Sequence, residues 1–236
     1  MNLNRKTWNE KDYQEFINYL QSLGDTKYLS FHQKLLNDNL NLIGIRTPIL
    51  KNIAKEIVKG NYQEFLKINK HNFYEEIVIH GLIIGYLKIP FKDVLHLLDN
   101  FLKYNTNWAI NDIVCANLKI FKTNLNEGYN YVLKLINSNR PFDKRFGLVL
   151  LLDFYINDEY IDKILEIVKI YDEDYYVKMA ISWLISICYI KYPHKTKPLF
   201  ENKQLNIWIH NKAIQKIIES YRINQNEKNE LKKLKR

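Results

Sequence analysis

The stretch TPILKNIAKEIVK, residues 47–59, decides the fold class because its apolar residues recur at helical spacing. Thr47 is a candidate N-cap, and Pro48 suits the first helical position, where its missing N–H is not needed. The apolar residues that share one stripe of this helix are Leu50, Ile53, Ala54 and Ile57. The stretch therefore predicts an amphipathic helix that buries one face.

The same periodicity continues along most of the chain. Further segments with a helical pattern lie at roughly 73–87, 90–103, 106–120, 125–138, 142–155, 158–169, 174–191, 205–222 and 225–235. Pro90, Pro141, Pro193 and Pro198 mark breaks between helices. Only seven Gly and five Pro occur, which favours long helices with short connections. No linker rich in Ser or Gly divides the chain, so we expect residues 1–236 to form a single, continuous helical domain.

Composition indicates a folded protein with an anionic partner. Hydrophobic residues make up 47% of the 236 residues and aromatic residues 14%, which excludes a disordered chain. Lys and Arg outnumber Asp and Glu by 35 to 26, a net charge of +9. This excess suits nucleic acid or a membrane surface, although many soluble proteins are simply basic.

The cysteines and the N-terminal residues bear on metal content and location. Cys115 and Cys188 lie in apolar helical runs, and no Cys or His cluster has zinc-ligand spacing. We therefore expect a reducing compartment, no metal and no cofactor. The start of the chain lacks the apolar core of a signal peptide, and no apolar run reaches the ~18 residues of a membrane span. A cytoplasmic location without membrane association follows.

The spacing of the helices suggests a repeat architecture. Pairs of helices recur every ~33 to 40 residues, as in stacked two-helix repeats of the HEAT type. Asp112 and Arg145 are 33 residues apart, Trp183 follows after 38 and Lys212 after a further 29. These intervals would place the four residues, with Trp108 one helical turn before Asp112, along one concave face. The earlier repeats would contribute Arg46, Glu75 and Glu76. The alternative is an irregular helical bundle.

Each of these residues also has an ordinary structural interpretation. Trp108 and Trp183 are equally consistent with core packing, the usual place of a helical Trp. Asp112 could be an exposed polar residue or the partner of a lysine. Lys144 and Arg145 could form a solvated helix start, but basic residues there oppose the helix dipole, which favours an anion nearby.

Five segments together resemble the AlkD-like DNA alkylation repair family, in the family's order and over about residues 25 to 235. The segments are GIRTPILKNIAKEI, NTNWAINDIVCANL, DKRFGLVLLLDFYI, YYVKMAISWLISICYIKYP and NKAIQKIIESYRI. The resemblance implies an all-α fold: a right-handed α-α superhelix (solenoid) of HEAT-like two-helix repeats that holds duplex DNA in a concave basic groove. It also implies a monomer that removes cationic N-alkylated purines, such as 7-methylguanine and 3-methyladenine, as a DNA glycosylase.

The resemblance also implies roles for individual residues. The catalytic carboxylate of the family falls on Asp112, and its two active-site tryptophans fall on Trp108 and Trp183. Its DNA-contacting arginine falls on Arg145.

Three lysines are expected to add phosphate contacts beside that arginine: Lys144, Lys178 and Lys212. A second hypothesis stays open, in which the chain is a non-catalytic HEAT-like repeat protein that binds nucleic acid or a protein through the same groove. In that case an aromatic side chain would fill the groove. The candidates for this role, which are also candidates for plain packing, are Phe146, Tyr175 and Tyr176.

Overall fold

The computed structural model describes residues 1–36, 40–170 and 172–236. Within these ranges all regular secondary structure is helical, so the prediction of an all-α fold is confirmed. The helices form two compact units, residues 1–123 and 124–236. The superhelix, its groove and the single-domain organisation remain predictions.

Unit 1 contains seven α-helices and a 3₁₀ turn among its described residues. They are α1 (Glu10–Ser22), α2 (Thr26–Leu36), α3 (Thr47–Val58), α4 (Tyr62–Ile68), α5 (Tyr74–Tyr86), α6 (Phe91–Phe101), α7 (Trp108–Asn117) and the 3₁₀ turn Lys119–Thr123. Helix α5 packs against both α3 and α7. Every residue from Tyr74 to Ile84 is buried, which explains why this helix is apolar almost all round. It forms the centre of the unit.

A close approach between α5 and α7 sets the position of α7. Gly81 on α5 faces Val114 on α7, and a β-carbon added at this glycine would clash with both methyl groups of that valine. The two backbones can approach because residue 81 has no side chain. The location of Trp108 and Asp112 on α7 therefore depends on a glycine in the neighbouring helix.

The structure gives Glu75 and Glu76 internal roles instead of places on an open face. Both side chains are completely buried. Glu75 accepts the N–H groups of residues 43, 44 and 45 at 3.0, 2.8 and 3.2 Å, and so holds the loop before α3. Glu76 accepts the hydroxyl of Tyr13 at 2.6 Å and the N–H of Phe73 at 2.9 Å. These hydrogen bonds replace the water that each carboxylate loses.

Unit 2 has the same helical character. Its elements are α8 (Leu125–Ile136), α9 (Pro141–Leu150) with a π-helical continuation Leu151–Tyr155, α10 (Ile161–Ile167), α11 (Tyr175–Lys191), α12 (Pro193–Thr196), α13 (Pro198–Glu201), α14 (Ile207–Glu219) and α15 (Gln225–Lys233). Helix α11 packs against both α9 and α14. None of the helices in the described ranges combines the length and apolar character needed to cross a bilayer.

Two local predictions need correction. Thr47 is the first residue of α3 and Arg46 occupies the N-cap, so the proposed cap is wrong by one position. Pro193 and Pro198 mark breaks between helices, as predicted, and each begins a short helix, α12 or α13, since proline is well tolerated in a first helical turn. Helix α9 begins at Pro141, which places Lys144 and Arg145 beyond its first turn. The argument from the helix dipole therefore does not apply to them.

Candidate functional site

Trp108 and Asp112 share one half-buried face of α7, as their spacing predicts. The residues between them, from Ala109 to Asn111, are buried against the rest of unit 1. Asn107 caps the helix by accepting the N–H of Ala109 at 2.8 Å. The cap and the buried face together fix the direction in which the indole and the carboxylate point.

The Asp112 carboxylate is held by a chain of side-chain amides. Asn111 donates from Nδ2 to Asp112 Oδ1 at 3.2 Å. Asn105 in turn donates from Nδ2 to Asn111 Oδ1 at 2.9 Å. Both asparagines are buried, so their amides have few alternative positions. This chain restricts the carboxylate while leaving part of it accessible.

Tyr74 shows that the charge of Asp112 reaches into the core of unit 1. Burial is the main cause of the raised pKa of the Tyr74 phenol, and the nearby carboxylates of Glu75 and Asp112 raise it further. The phenol oxygen is buried and makes no hydrogen bond. Burial, reinforced by the two neighbouring carboxylates, therefore keeps this tyrosine neutral.

In unit 2, the predicted DNA contacts Lys144 and Arg145 are engaged by the protein itself. Lys144 forms an ion pair of 2.6 Å with Asp172, and both side chains are largely covered. Arg145 is only 5% exposed and donates from one guanidinium nitrogen to the carbonyl of Tyr176 at 2.9 Å. In this structure Lys144 joins α9 to the segment before α11, and Arg145 joins α9 to the first turn of α11.

Two lysines of unit 2 that form no ion pair among the described residues lie over Trp208. The ammonium groups of Lys178 on α11 and Lys212 on α14 lie 5.2 and 5.9 Å from the centre of the Trp208 ring. Tyr175 packs edge-on against the same indole at 6.0 Å and is 55% exposed. Two like charges over one ring repel each other, so an anion close to them would stabilise the arrangement. We call these four residues the Trp208 cluster.

Lys216 extends the positive charge along α14. It lies one turn after Lys212 on the same helix face. Burial lowers the pKa of its ammonium group, Glu219 acts in the opposite direction, and Lys212 and Arg145 lower the pKa further. The electrostatic effect of Arg145 on Lys216 shows that the two cations belong to one region of unit 2.

Trp183 lies on the half-buried side of α11. Half-buried residues recur along this helix at Tyr176, Met179, Trp183 and Ile187, which is the spacing of one helix face. Phe146 is completely buried in α9 and is therefore a packing residue. Tyr176 is half-buried and packs on Phe142 at 5.3 Å. Among the three candidates for a groove-filling role, only Tyr175 is well exposed.

A comparison with families of known proteins places the chain. The sequence model of a family described as DNA alkylation repair enzyme matches residues 16–231 of the 236 residues. The chain belongs to this family. A comparison with curated proteins found no match. Family membership assigns the chain a role in DNA alkylation repair, with DNA as its substrate.

The sequence did not reveal the roles of Trp208 and Asn111, or the place where Lys178 lies. Trp208 lies in no recognisable motif. Lys212, one helical turn later, is a common type of neighbour on a helix surface, so the sequence did not indicate a site at this tryptophan. Lys178 comes from another helix, and only the packing of α11 on α14 brings it to the indole. Asn111 is next to Asp112 in the sequence, but its role depends on the orientation of its amide. An inspection of WAIND for polar neighbours of the carboxylate would have found it.

Proposed function

We propose that this member of the family is a DNA glycosylase that hydrolyses the N-glycosidic bond of cationic N-alkylated purines in duplex DNA. The observation that carries the proposal is the Asp112 carboxylate, which is half-buried, held by Asn111 and placed one helical turn from the Trp108 indole. Examples of the substrate are 7-methylguanine and 3-methyladenine. The enzyme would act as a monomer without a metal or another cofactor.

The chemistry suits these residue types. Alkylation of a ring nitrogen gives the purine a positive charge, which weakens its bond to the sugar. As the base departs with the bonding electrons, the sugar acquires oxocarbenium character, and a carboxylate beside it stabilises that charge. The same carboxylate orients the water that adds to the sugar carbon and accepts its proton. The faces of Trp108 and Trp183 would attract the cationic nucleotide.

DNA binding would be divided among the cations of unit 2. Lys178 and Lys212 are suited to contact phosphates, because both ammonium groups lie over the Trp208 ring and neither forms an ion pair among the described residues. Arg145 is 5% exposed, so it would contact a phosphate through the small accessible part of its side chain. A phosphate contact by Lys144 would require this residue to share its ammonium group with Asp172. We propose that the Trp208 cluster of unit 2 and the face of α7 in unit 1 each contact duplex DNA.

Release of free base from duplex DNA that contains 7-methylguanine tests the proposal. The wild type should release the base, and Asp112→Asn should lower the rate about 100-fold or more, since the variant keeps the shape but loses the charge. Affinity for the duplex should change little. Asp93→Asn on α6 is the matched control, because this carboxylate is exposed and lies outside the site. If Asp112→Asn released base at the wild-type rate, the proposed role of Asp112 would be wrong.

The alternative is a non-catalytic protein that binds DNA through the same surface. The exposure of Tyr175 beside Trp208 favours it, since lysines and two aromatic rings form a binding surface that does not need Asp112. The same assay distinguishes the two. Tight binding of the duplex without any release of base would support the alternative and exclude the glycosylase.

A further inference from the structure

A second cleft lies in unit 1, between α4 and α6. It has a volume of about 400 Å³, which is within the range of small-molecule sites. Side chains of α4 and α6 line its two sides, and His71 and His80 contribute from α5 and the turn before it. Neither Trp108 nor Asp112 lines it. The cleft is therefore separate from the candidate glycosylase site.

The described residues that line the cleft are all positive or neutral. Lys67 and Lys103 line the cleft from α4 and from the end of α6, together with the exposed imidazole of His96. No Asp or Glu is among the described residues that line it. Lys103 donates to the amide oxygen of Asn100 at 3.1 Å, and neither lysine takes part in the ion pairs of the described residues. Two lysines without a carboxylate partner in a concave site suit an anion.

The same cleft contains a flat aromatic surface. The rings of Tyr104 and His71 are stacked, with centres 3.6 Å apart and planes within 16°. Tyr104 is 39% exposed, so part of its ring remains accessible to a ligand. An aromatic face of this kind binds planar heterocycles, nucleobases in particular, with little preference for one base over another.

The backbone at His71 is strained to provide this surface. His71 has a φ of 57°, in the left-handed region that residues other than glycine seldom adopt. The side chain of Asn69 holds the turn by accepting the His71 N–H at 3.1 Å. Such strain persists only where the surroundings enforce it, and it is concentrated at functional sites. Here the strained turn places the imidazole under Tyr104.

The two histidines form a hydrogen bond and are not arranged as a metal chelate. His71 Nε2 and His80 Nδ1 are 2.8 Å apart, and the ring centres are 5.0 Å apart. The separation of the centres exceeds that of the nitrogens by about two ring radii, so the rings point at each other along the bond. Nitrogens that bind one metal ion would instead converge on a point to the side. Burial lowers the pKa of His71 to about 4 and that of His80 to about 3, so the pair is neutral near pH 7.

We propose that this cleft binds a nucleotide, with the base stacked on Tyr104 and the phosphate held by Lys67 and Lys103. The ligand has one chemistry and two sources: a free mononucleotide or an unpaired nucleotide at the end of a DNA strand. A simple anion would leave the aromatic surface unused, and a neutral heterocycle would leave the two lysines uncompensated. A nucleotide satisfies both features.

Binding of adenosine monophosphate to the isotope-labelled full-length chain, followed by the amide signals of the cleft, tests the proposal. Adenosine and inorganic phosphate serve as the two halves of the probe, and each should bind about tenfold more weakly or worse, since each lacks one set of contacts. Lys67→Ala combined with Lys103→Ala should weaken binding of the nucleotide about tenfold. Tyr104→Leu should weaken binding of the nucleotide but leave binding of phosphate unchanged. Lys92→Ala is the control, because this exposed lysine of α6 does not line the cleft.

Two DNA probes identify the source of the ligand. A blunt duplex and the same duplex with one unpaired terminal nucleotide are compared by fluorescence anisotropy. A preference for the unpaired end that the double lysine variant loses supports the strand as the source. Binding of the mononucleotide without such a preference supports a free nucleotide. If neither adenosine monophosphate nor the duplex with the unpaired end shifts the amide signals of the cleft, or if phosphate binds as tightly as the nucleotide, the proposal is wrong.

Discussion

The half-buried face of α7 in unit 1 presents a carboxylate beside an indole, whereas α11 and α14 in unit 2 present lysines around an indole. The carboxylate of Asp112 is restrained by the buried amides of Asn111 and Asn105. Lys212, in contrast, donates only to the neutral amide of Gln215, at 3.2 Å. A fixed carboxylate suits a reaction that needs a defined position, and adaptable cations suit contacts with a backbone of phosphates. The difference suggests that chemistry resides in unit 1 and most of the affinity in unit 2.

Asn111→Ala should separate the proposed catalytic role of unit 1 from the proposed DNA-binding role of unit 2 most clearly. Without its amide the Asp112 carboxylate can rotate, and a misplaced catalytic group can lower a rate by up to about 100-fold. DNA affinity should stay at the wild-type level, because no cation of unit 2 is changed. Single-turnover release of 7-methylguanine and duplex binding are the two measurements. Asn111→Asp, which keeps the shape but repels the neighbouring carboxylate, should also be slow. Full activity in both variants would contradict a positioning role.

Lys144→Ala should affect stability and not DNA binding. The change leaves Asp172 without its ion-pair partner in a largely covered position, and we expect the free energy of unfolding to fall by about 1 to 2 kcal/mol. The dependence of DNA affinity on salt should be the same as in the wild type. Denaturant unfolding and a salt titration of binding measure the two effects. A change in the salt dependence would show that Lys144 contacts phosphate, as the sequence analysis expects.

Lys178→Ala combined with Lys212→Ala should give the converse result. Loss of two phosphate contacts should lower the slope of log affinity against log salt by about 1.8 and weaken binding about tenfold at moderate salt. Stability should change little, since neither lysine forms an ion pair among the described residues. Lys232→Ala combined with Lys235→Ala, at the exposed C-terminal end, is the control with the same loss of charge. An equal effect of the two pairs would mean that net charge, and not the Trp208 cluster, determines affinity.

Acid should destabilise unit 1 through His71 and His80. Burial lowers the pKa of these groups from 6.5 to about 4 and about 3 in the folded state. Below pH 6.5 the unfolded chain therefore binds more protons at these histidines than the folded chain does. The contribution of the two neutral histidines to the free energy of unfolding is fully present above pH 6.5 and is lost as the pH falls towards 4 and below. His71→Phe should flatten the fall in unfolding free energy, measured by urea unfolding between pH 7 and pH 4. His96→Gln, at an exposed imidazole of the same unit, should leave the fall unchanged.

The sequence predicts the positions of the helices better than it predicts the burial and the partners of individual polar side chains. Periodicity located α5, α7 and α11 to within a few residues, because burial of one helix face imposes its spacing on the chain. It assigned Glu75 and Glu76 to an open face, although both carboxylates are buried and bound to backbone N–H groups or to Tyr13. Spacing along a helix cannot show whether a polar side chain meets water or a partner from another segment.

The sequence by itself determined that the chain is helical, that Trp108 and Asp112 share a helix face, and that the protein belongs to a DNA alkylation repair family. These properties depend on local spacing and on residues close together in the chain. Only the tertiary structure decided that Lys144 is paired with Asp172, that Lys178 and Lys212 meet over Trp208, and that His71 stacks on Tyr104. Apart from Lys212 and Trp208, which are one turn apart on α14, these contacts join residues from different helices or loops, so they depend on how the helices pack.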